Sequence, residues 1–369
     1  MRFPVISTAL RIFYSRLFDT SQTIVLSIIC IALTLHTAVA CLRSDKAIET
    51  SRHIQIDATG APIFGRITRY AREPSFLNPG EVVFTFDDGP SPSITRSILE
   101  SLDEYCVKAT FFPVGRMAAK YPGIMREIAE KQHTIGGHTW SHPRNLRRLK
   151  LSDVKQEIEK GFAAIALATG RPVAPFFRFP GLNHDDRGLR YLQKRGIATF
   201  SVDVVSDDSF NSDVEKLVEI TMSRIENERG GILLFHDIKR VTAKALPRVL
   251  EILRRRNYKV VHLTTKFAYS PMDEFDEELV DLVETARRKD LRVSLAGFQG
   301  TVQSFRTKVQ LAPPITHLAP AAKKIEFAKV REQRLQSLTD SISTRRWSSI
   351  VEEPTNTETR EAVSDQSNQ

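Results

Sequence analysis

Cysteine is scarce in this chain: three residues in 369, at positions 30, 41 and 106. Three cysteines do not make a disulfide framework, so the fold must rest on a hydrophobic core. Cys106, alone before a strand, reads as a small buried hydrophobe. No internal repeat is visible, which excludes a solenoid or propeller. Long apolar runs are wanting too. The stretch from Ile24 to Leu35 carries no charge but is short for a membrane-spanning helix. The net charge of +9 and pI near 9.5 favour anionic surroundings such as membrane surfaces or acidic polymers. The basic residues are scattered, however, and no nucleic-acid-binding motif accompanies them, so no nucleic-acid partner is expected.

What is present is a hydrophobic content of 41%, enough for a sizeable core. At the N-terminus Arg2, Arg11 and Arg16 precede the apolar stretch, and Ala38-Val39-Ala40 follows it. A basic region, an apolar region and small residues in that order read as a secretory signal. Residues 1–40 are therefore expected to be a signal peptide or a membrane anchor. The protein is expected in the periplasm, in the cell envelope or secreted, with membrane association through this segment if it is not cleaved. Cys41 raises lipoprotein processing, although Ala38 lacks the bulky apolar character such sites usually show.

Residues 41–77 are polar and read as a linker or N-terminal extension. Short apolar runs then alternate with helical patterns. The strand candidates are 82–86, 108–114, 133–138, 174–179, 197–203, 231–236 and 259–263. Helices are expected near 92–105, 116–131, 152–169, 186–195, 212–228 and 241–257. Ser91-Pro92 places a cap before a first-turn proline, and Ser212 with Glu215 forms a capping box. Strands alternating with helices predict a parallel α/β barrel or a wound sheet. Residues 267–299 carry spaced Val and Leu that could pack as one more helix. Residues 300–369 are rich in Pro, Ser, Thr, Gln and charge, the composition of a largely disordered tail.

The ionisable residues gather at the C-terminal ends of the strand candidates. Asp87 and Asp88 follow the first, His138 ends the third, Arg178 the fourth, Asp203 the fifth and His236 the sixth. In a (β/α) barrel those ends meet on one face, where active sites are built. Each motif alone has an ordinary explanation. Asp-Asp-Gly-Pro is a common turn, and His138 with His142 at helical spacing could share a solvated face. Together, two imidazoles and one carboxylate supply a metal site of the kind Zn²⁺ prefers, though other divalent ions accept it. The second carboxylate is left free as a base. Arg178 would be a costly core residue without a carboxylate, and Asp87 is its natural partner. Asp203 could hold the imidazole of His236 and favour its charged form. His184, in an evident loop, has no assigned role.

TFDDGP (85–90), HTWSH (138–142), RFPG (178–181), the region from Asp203 to Asp208 and LLFH (233–236) stand in this order. As an ordered set they resemble the five motifs of the NodB-type polysaccharide deacetylases, carbohydrate esterase family 4. The resemblance spans residues 78–266. It implies a distorted (β/α)7 barrel and a metal-dependent hydrolase that removes acetyl groups from polysaccharides or oligosaccharides containing N-acetylglucosamine, such as chitooligosaccharide, peptidoglycan or exopolysaccharide. By motif position Asp87 would be the base and Asp88, His138 and His142 the metal ligands. Arg178 would orient Asp87, Asp203 would tune His236, and His236 would be the acid. The backbone N–H near Gly181 would face the oxyanion, and Leu234 would line the acetyl pocket. The partner implied is an acetylated glycan, and a monomer is expected.

The chain departs from the family pattern twice. Gly181 stands where an aromatic often follows the proline of the third motif. The fourth motif, DVVSDDSF, lacks its usual tryptophan, which leaves the register among Asp203, Asp207 and Asp208 open. Two rival readings are a catalytically degenerate barrel that only binds glycans and an amidohydrolase acting on a non-sugar amide. Two histidines and a carboxylate can also hold Fe(II) for oxygen chemistry, but such sites need neither a second adjacent carboxylate nor a late histidine acid.

Overall fold

The computed structural model describes residues 45–290, apart from positions 49 and 276. The expected signal or anchor segment (1–40) and the expected polar tail (300–369) lie outside the described residues. Among those described, no helix is long and apolar enough to cross a membrane.

The architecture is organised on β3 (Glu81–Asp87), whose seven residues are all buried. Its sequence, EVVFTFD, is rich in β-branched and aromatic side chains and covered on both faces, as parallel strands are. One edge pairs along its whole length with β9 (Gly230–His236), from Glu81 opposite Gly230 to Asp87 opposite His236. The other edge is shared. β10 (Lys259–Thr265) pairs with its start, and β4 (Thr110–Phe112) with its end. β5 (Thr134–Ile135) extends beyond β4, β1 (Thr50–Ile56) lies beside β10, and β8 (Val204–Val205) beside β9. These seven strands form one parallel sheet. A second, of β2 (Ile63–Phe64), β7 (Ala198–Phe200) and β6 (Phe176–Phe177), joins it where Gly137 bridges to Phe177.

Among the described residues, the strands are connected or flanked by α1 (Pro92–Glu104), α2 (Gly115–Lys120), α3 (Pro122–Glu130), α4 (Leu151–Thr169), α5 (Asp186–Arg195), α6 (Val214–Glu228) and α7 (Arg240–Arg255). The parallel α/β fold expected of a distorted barrel is therefore present; β3, β9 and β10 run slightly longer than the apolar runs that announced them, and β4, β5, β6 and β7 are shorter. The helix expected over 116–131 is two, because Pro122 cannot continue α2 and opens α3 instead. The cap of α6 is also not the one expected. Asp213, rather than Ser212, accepts the backbone N–H of Lys216 at 3.0 Å, so the helix starts one residue later than a Ser212 cap implies.

Of residues 41–77, expected as a linker, the described ones are part of the fold. β1 and β2 lie within them, each in a parallel pairing. Their signal was hidden because β1, TSRHIQI, is a half-exposed edge strand with few apolar side chains. Residues 277–290 are helical, and Phe275, Leu279 and Val283 pack on Ala119, Ala163 and Ala164. Cys106 corrects another expectation. It is not a free, buried hydrophobe but disulfide-bonded.

Two apolar cores follow from strand alternation. Val82, Phe84 and Phe86 of β3, with Leu233 and Phe235 of β9, face the helices, and Phe86 stacks on Phe111 and Phe235. Val83, Ile232 and Leu234 point the other way, into the barrel, with Phe112, Phe176 and Phe200. The same alternation sets Thr85 above Val83 and Asp87 above Thr85. Register then places Asp87 level with His236 at the barrel's C-terminal mouth.

Candidate active site

Arg178 forms the floor of the site and is wholly buried. Its guanidinium donates to Asp87 Oδ1 and to Thr85 Oγ1, each at 2.7 Å, and to the carbonyls of Phe200 (3.1 Å) and Ser201 (3.3 Å). It also lies 4.4 Å from the Phe112 ring centroid. Burial alone would push such a group toward its neutral form, and the Asp87 charge opposes that. One oxygen of Asp87 is thereby committed. The other, Oδ2, points at His138 Nε2 from 3.9 Å.

Asp88 leaves the strand with a left-handed φ of 75°, which turns its side chain away from that of Asp87. Its Oδ1 lies 3.4 Å from His138 Nε2 and 3.2 Å from His142 Nε2. Ligand atoms from these three residues all fall within 4.8 Å of one another. Burial works against a charge on Asp88, but the imidazoles of His138, His236 and His142 outweigh it and hold the carboxyl far below its usual range. Asp88 Oδ1 is nevertheless buried without a hydrogen-bond partner. An orphaned carboxylate oxygen facing two imidazole nitrogens fits a divalent cation.

The two histidines do not ride on a helical turn, as their spacing implied. They lie in the loop after β5, where Thr139 (φ 65°) and His142 (φ 57°) are left-handed. The His142 N–H donates to Thr139 Oγ1 at 3.0 Å, which holds the loop curled and brings the rings to 5.0 Å between centroids. His138 Nδ1 meets the carbonyl of Arg178 at 2.7 Å, so that bond leaves Nε2 to face Asp88. Gly161 of α4 makes room behind the loop, since a Cβ there would lie 2.8 Å from the Thr139 carbonyl carbon. Strained backbone gathered at Asp88, Thr139 and His142 is the pattern of a site whose geometry the surrounding fold imposes.

His236 supplies the third imidazole of the cluster, its Nε2 4.0 Å from Asp88 Oδ2. Here the structure corrects the expected partner. Asp203 does not reach His236. It opens β8, where its carboxylate accepts the N–H of Ile232 (2.8 Å) and the N–H of Arg66 (2.9 Å). Parallel pairing puts Ile232 four residues before His236, about 13 Å down the strand at ~3.3 Å per residue. Asp208 takes the place instead, with Oδ1 2.6 Å from His236 Nδ1. Asp207, the third choice the sequence left open, pairs with Arg224 at 2.6 Å. Burial disfavours a charged His236, yet the hydrogen bond and charge of Asp208, helped by Asp87 and Asp88, push its pKa up to about 9.

Gly181 is exposed in the turn after β6, with a left-handed φ of 59°. Leu234 lies two residues below His236 on the inward face and is buried. His184 is buried between Tyr70 and Phe179, its carbonyl held by Arg147, and takes no part in the cluster. Sequence reasoning missed Asp237. Its carboxylate accepts the Thr95 hydroxyl at 2.8 Å and presses on Gly89, where any Cβ would collide with it. The close approach of two loops explains why only glycine fits after the acid pair.

A parallel α/β barrel with two imidazoles and a carboxylate at its C-terminal mouth, and a second, arginine-held carboxylate beside them, defines a hydrolase of the metal-assisted kind. Residues 77–200 match the polysaccharide deacetylase family. The chain is 34% identical to a chitooligosaccharide deacetylase of Azorhizobium caulinodans, over 43% of this chain and 75% of that protein. It is 32% identical to a peptidoglycan-N-acetylglucosamine deacetylase of Bacillus cereus, over 52% of this chain and 70% of that protein. A peptidoglycan deacetylase structure from Bdellovibrio bacteriovorus superposes with a TM-score of 0.55 at 28% identity, covering 62% of this chain and 63% of that one, just under two thirds of its length. The chain belongs to the NodB-type polysaccharide deacetylases, carbohydrate esterase family 4, and is a hydrolytic deacetylase.

Proposed function

We propose that this protein hydrolyses the acetamide of N-acetylglucosamine units in an exported glycan, with Asp87 as base and His236 as acid. The observation that carries the reading is the division of labour between the adjacent acids. Asp87 is pinned by Arg178 at 2.7 Å, while Asp88 faces His138 and His142 with an unpartnered oxygen.

Asp88, His138 and His142 would hold the ion, and Zn²⁺ suits that donor set best. When bound, a divalent ion there supplies the Lewis acidity that polarises an acetyl carbonyl and lowers the pKa of a water. Asp87, with one oxygen fixed by Arg178, takes the proton from the attacking water through its free Oδ2. The backbone N–H near Gly181 donates to the oxygen that gains charge as the carbonyl carbon becomes tetrahedral. His236, held protonated by Asp208, gives its proton from Nε2 to the departing sugar nitrogen, and acetate and a free amine result. Leu234 closes the bottom of the pocket on the acetyl methyl.

Export is supported by the basic-apolar-small order of residues 1–40 and by the disulfide at Cys106, a bond that persists in oxidising compartments. The test is acetate release from chitotetraose, peptidoglycan and acetylxylan after chelation and after Zn²⁺ return. Metal-restored release from the N-acetyl glycans supports the reading. Release only from the O-acetyl polymer, or none, overturns it.

A further inference from the structure

We propose that the helix over 277–290 is a working part of the metal centre: through Lys160 it grips Trp140, and that grip holds the histidine loop at the curvature metal binding needs. This rests on the metal-site reading above and goes beyond it. The helix lies outside residues 77–200, which match the family. Trp140 stands between His138 and His142. The backbone of this loop is tied at three successive residues. The N–H groups of Gly115 and Arg116, at the start of α2, donate to the carbonyls of Thr139 and Trp140, each at 2.9 Å. Glu157 of α4 accepts the N–H and the hydroxyl of Ser141 at 2.8 and 2.7 Å. The indole is held from another direction. Small residues let α2 and α4 close up beside it, since a Cβ on Gly115 would lie 2.7 Å from Gly161 Cα and 3.0 Å from Trp140 Cε3. Ala119, Ala163 and Ala164 continue that platform. Phe275, Leu279 and Val283 cover it, and Trp140 packs against the same cluster.

Lys160 joins the two layers. Its Nζ sits 4.6 Å from the Trp140 ring centroid and donates to both carboxylate oxygens of Glu278 at 2.8 Å. An exposed lysine–glutamate pair would count for little. This pair differs because the lysine side chain is only 11% exposed, so the ring and the carboxylate replace much of its hydration. A methionine would fill the same space with no charge to solvate. What the ammonium adds is a directional link from the helix to the ring. The support is fastened without it. Arg287 donates to the Leu167 carbonyl at 2.6 Å, and just before the helix Arg195 donates to the Ser270 carbonyl at 3.1 Å. Trp140 is therefore gripped against a fixed surface. Thr139 and His142 keep left-handed backbone on either side of it, conformations that a loose loop would relax. His142, the more exposed of the two histidines, would be the first to leave Asp88. Lys160 and Glu278 are thus positioning residues for the metal ligands.

The experiment measures Zn²⁺ affinity of the full chain against a competing chelator, together with the thermal midpoint of the metal-free protein. Lys160→Met keeps the stem and removes the charge. It should weaken Zn²⁺ binding about tenfold, as losing a group that orients metal ligands does, while the metal-free midpoint moves little. Lys160→Arg keeps a cation over the ring and should restore most of the affinity, and Glu278→Gln should fall between. A second readout needs neither metal nor turnover. With Trp347→Phe as background, Trp140 is the sole tryptophan. Acrylamide quenching of its emission in the metal-free protein should rise in Lys160→Met. Unchanged affinity or unchanged quenching in Lys160→Met overturns the grip. So does an affinity loss that Lys160→Arg shares, or one that a fall in the metal-free midpoint accounts for. If the unaltered protein binds no Zn²⁺, the metal-site reading has failed and this one with it. If it binds Zn²⁺ and Lys160→Met binds equally well, this one alone fails.

Discussion

Asp208 binds His236 twice: its Oδ1 faces the ring Nδ1 at 2.6 Å, and its Oδ2 accepts the backbone N–H at 2.7 Å. The two contacts fix both the position and the tautomer of the imidazole, and Thr242 Oγ1, donating at 2.6 Å, fixes the carboxylate in turn. Nε2 is left to face Asp88 and the mouth of the barrel. The pairing couples charge to geometry, because the same carboxylate that aims the ring also favours its protonated form.

The first prediction concerns pH. If His236 acts as acid, turnover needs it protonated, so the rate falls as pH rises through its pKa, pushed up to about 9 before any cation binds. A bound cation lowers that limb. Asp208→Asn removes the main cause of the upward shift, so its alkaline limb should move to lower pH, with kcat reduced by about tenfold to a hundredfold on N-acetyl substrates. Asp203→Asn should leave the limb in place and cost about 1 kcal/mol of stability through its lost backbone contacts. The stability sign agrees. A histidine with a raised folded pKa stabilises fully below the unfolded value of 6.5 and loses that contribution as pH rises through about 9. A pH–rate series on both variants checks this, and equal limbs would count against Asp208.

The separation of Asp87 from Asp88 gives the second. Asp88→Asn or His142→Ala should abolish tight Zn²⁺ binding and turnover together. Asp87→Asn should retain the ion, measured by metal analysis after dialysis, and lose about 10²–10⁴ in kcat. Retained turnover in Asp87→Asn would remove it as the base.

How much of this was legible in the chain varies with the kind of signal. β3 and β9 were plain, because a buried parallel strand is a continuous apolar run and the acids and histidine follow at its end. The curl of the histidine loop was not. His-x-x-x-His has helical spacing, and only the left-handed Thr139 and His142 show that a loop achieves the same approach. The fourth motif offered three aspartates without a tryptophan to set the register, and pairing of β8 with β9 was needed to choose among them. β1 left little trace because an edge strand need not be apolar on both faces. Cys106 misled for a simpler reason, since a disulfide is a property of two positions and a lone cysteine in sequence reveals one.

Arg178 supports a third prediction. It is wholly buried and its ion pair with Asp87 is closed by Thr85 and two carbonyls. Removing one partner of a buried pair leaves the other charge stranded, at a cost of about 3–5 kcal/mol. Arg178→Ala should therefore lower the thermal midpoint and also mislocate the base. Arg178→Lys should recover part of the stability but not the activity, because an ammonium cannot reproduce the fork that serves Asp87, Thr85 and the strand ends. Thermal unfolding and kcat measured on the same preparations separate the two effects.

The last prediction follows from Gly89 and Asp237. A Cβ at position 89 would run into the Asp237 carboxylate, which is held by Thr95. Burial raises the pKa of Asp237 to about 7, although its hydrogen bonds from Thr95 and the Gly89 backbone oppose the rise. The turn carrying Asp88 thus leans on a fixed wall, and Gly89→Ala must displace either the turn or the wall. Since Asp88 precedes it directly, metal affinity should fall by more than the loss of global stability accounts for. The double variant Gly89→Ala/Asp237→Ala removes the collision and should recover part of that affinity, whereas Asp237→Ala alone should weaken it only modestly. Zn²⁺ titration of the three variants against a competing chelator decides the matter. Affinity unchanged in Gly89→Ala would show that the turn bends without moving Asp88.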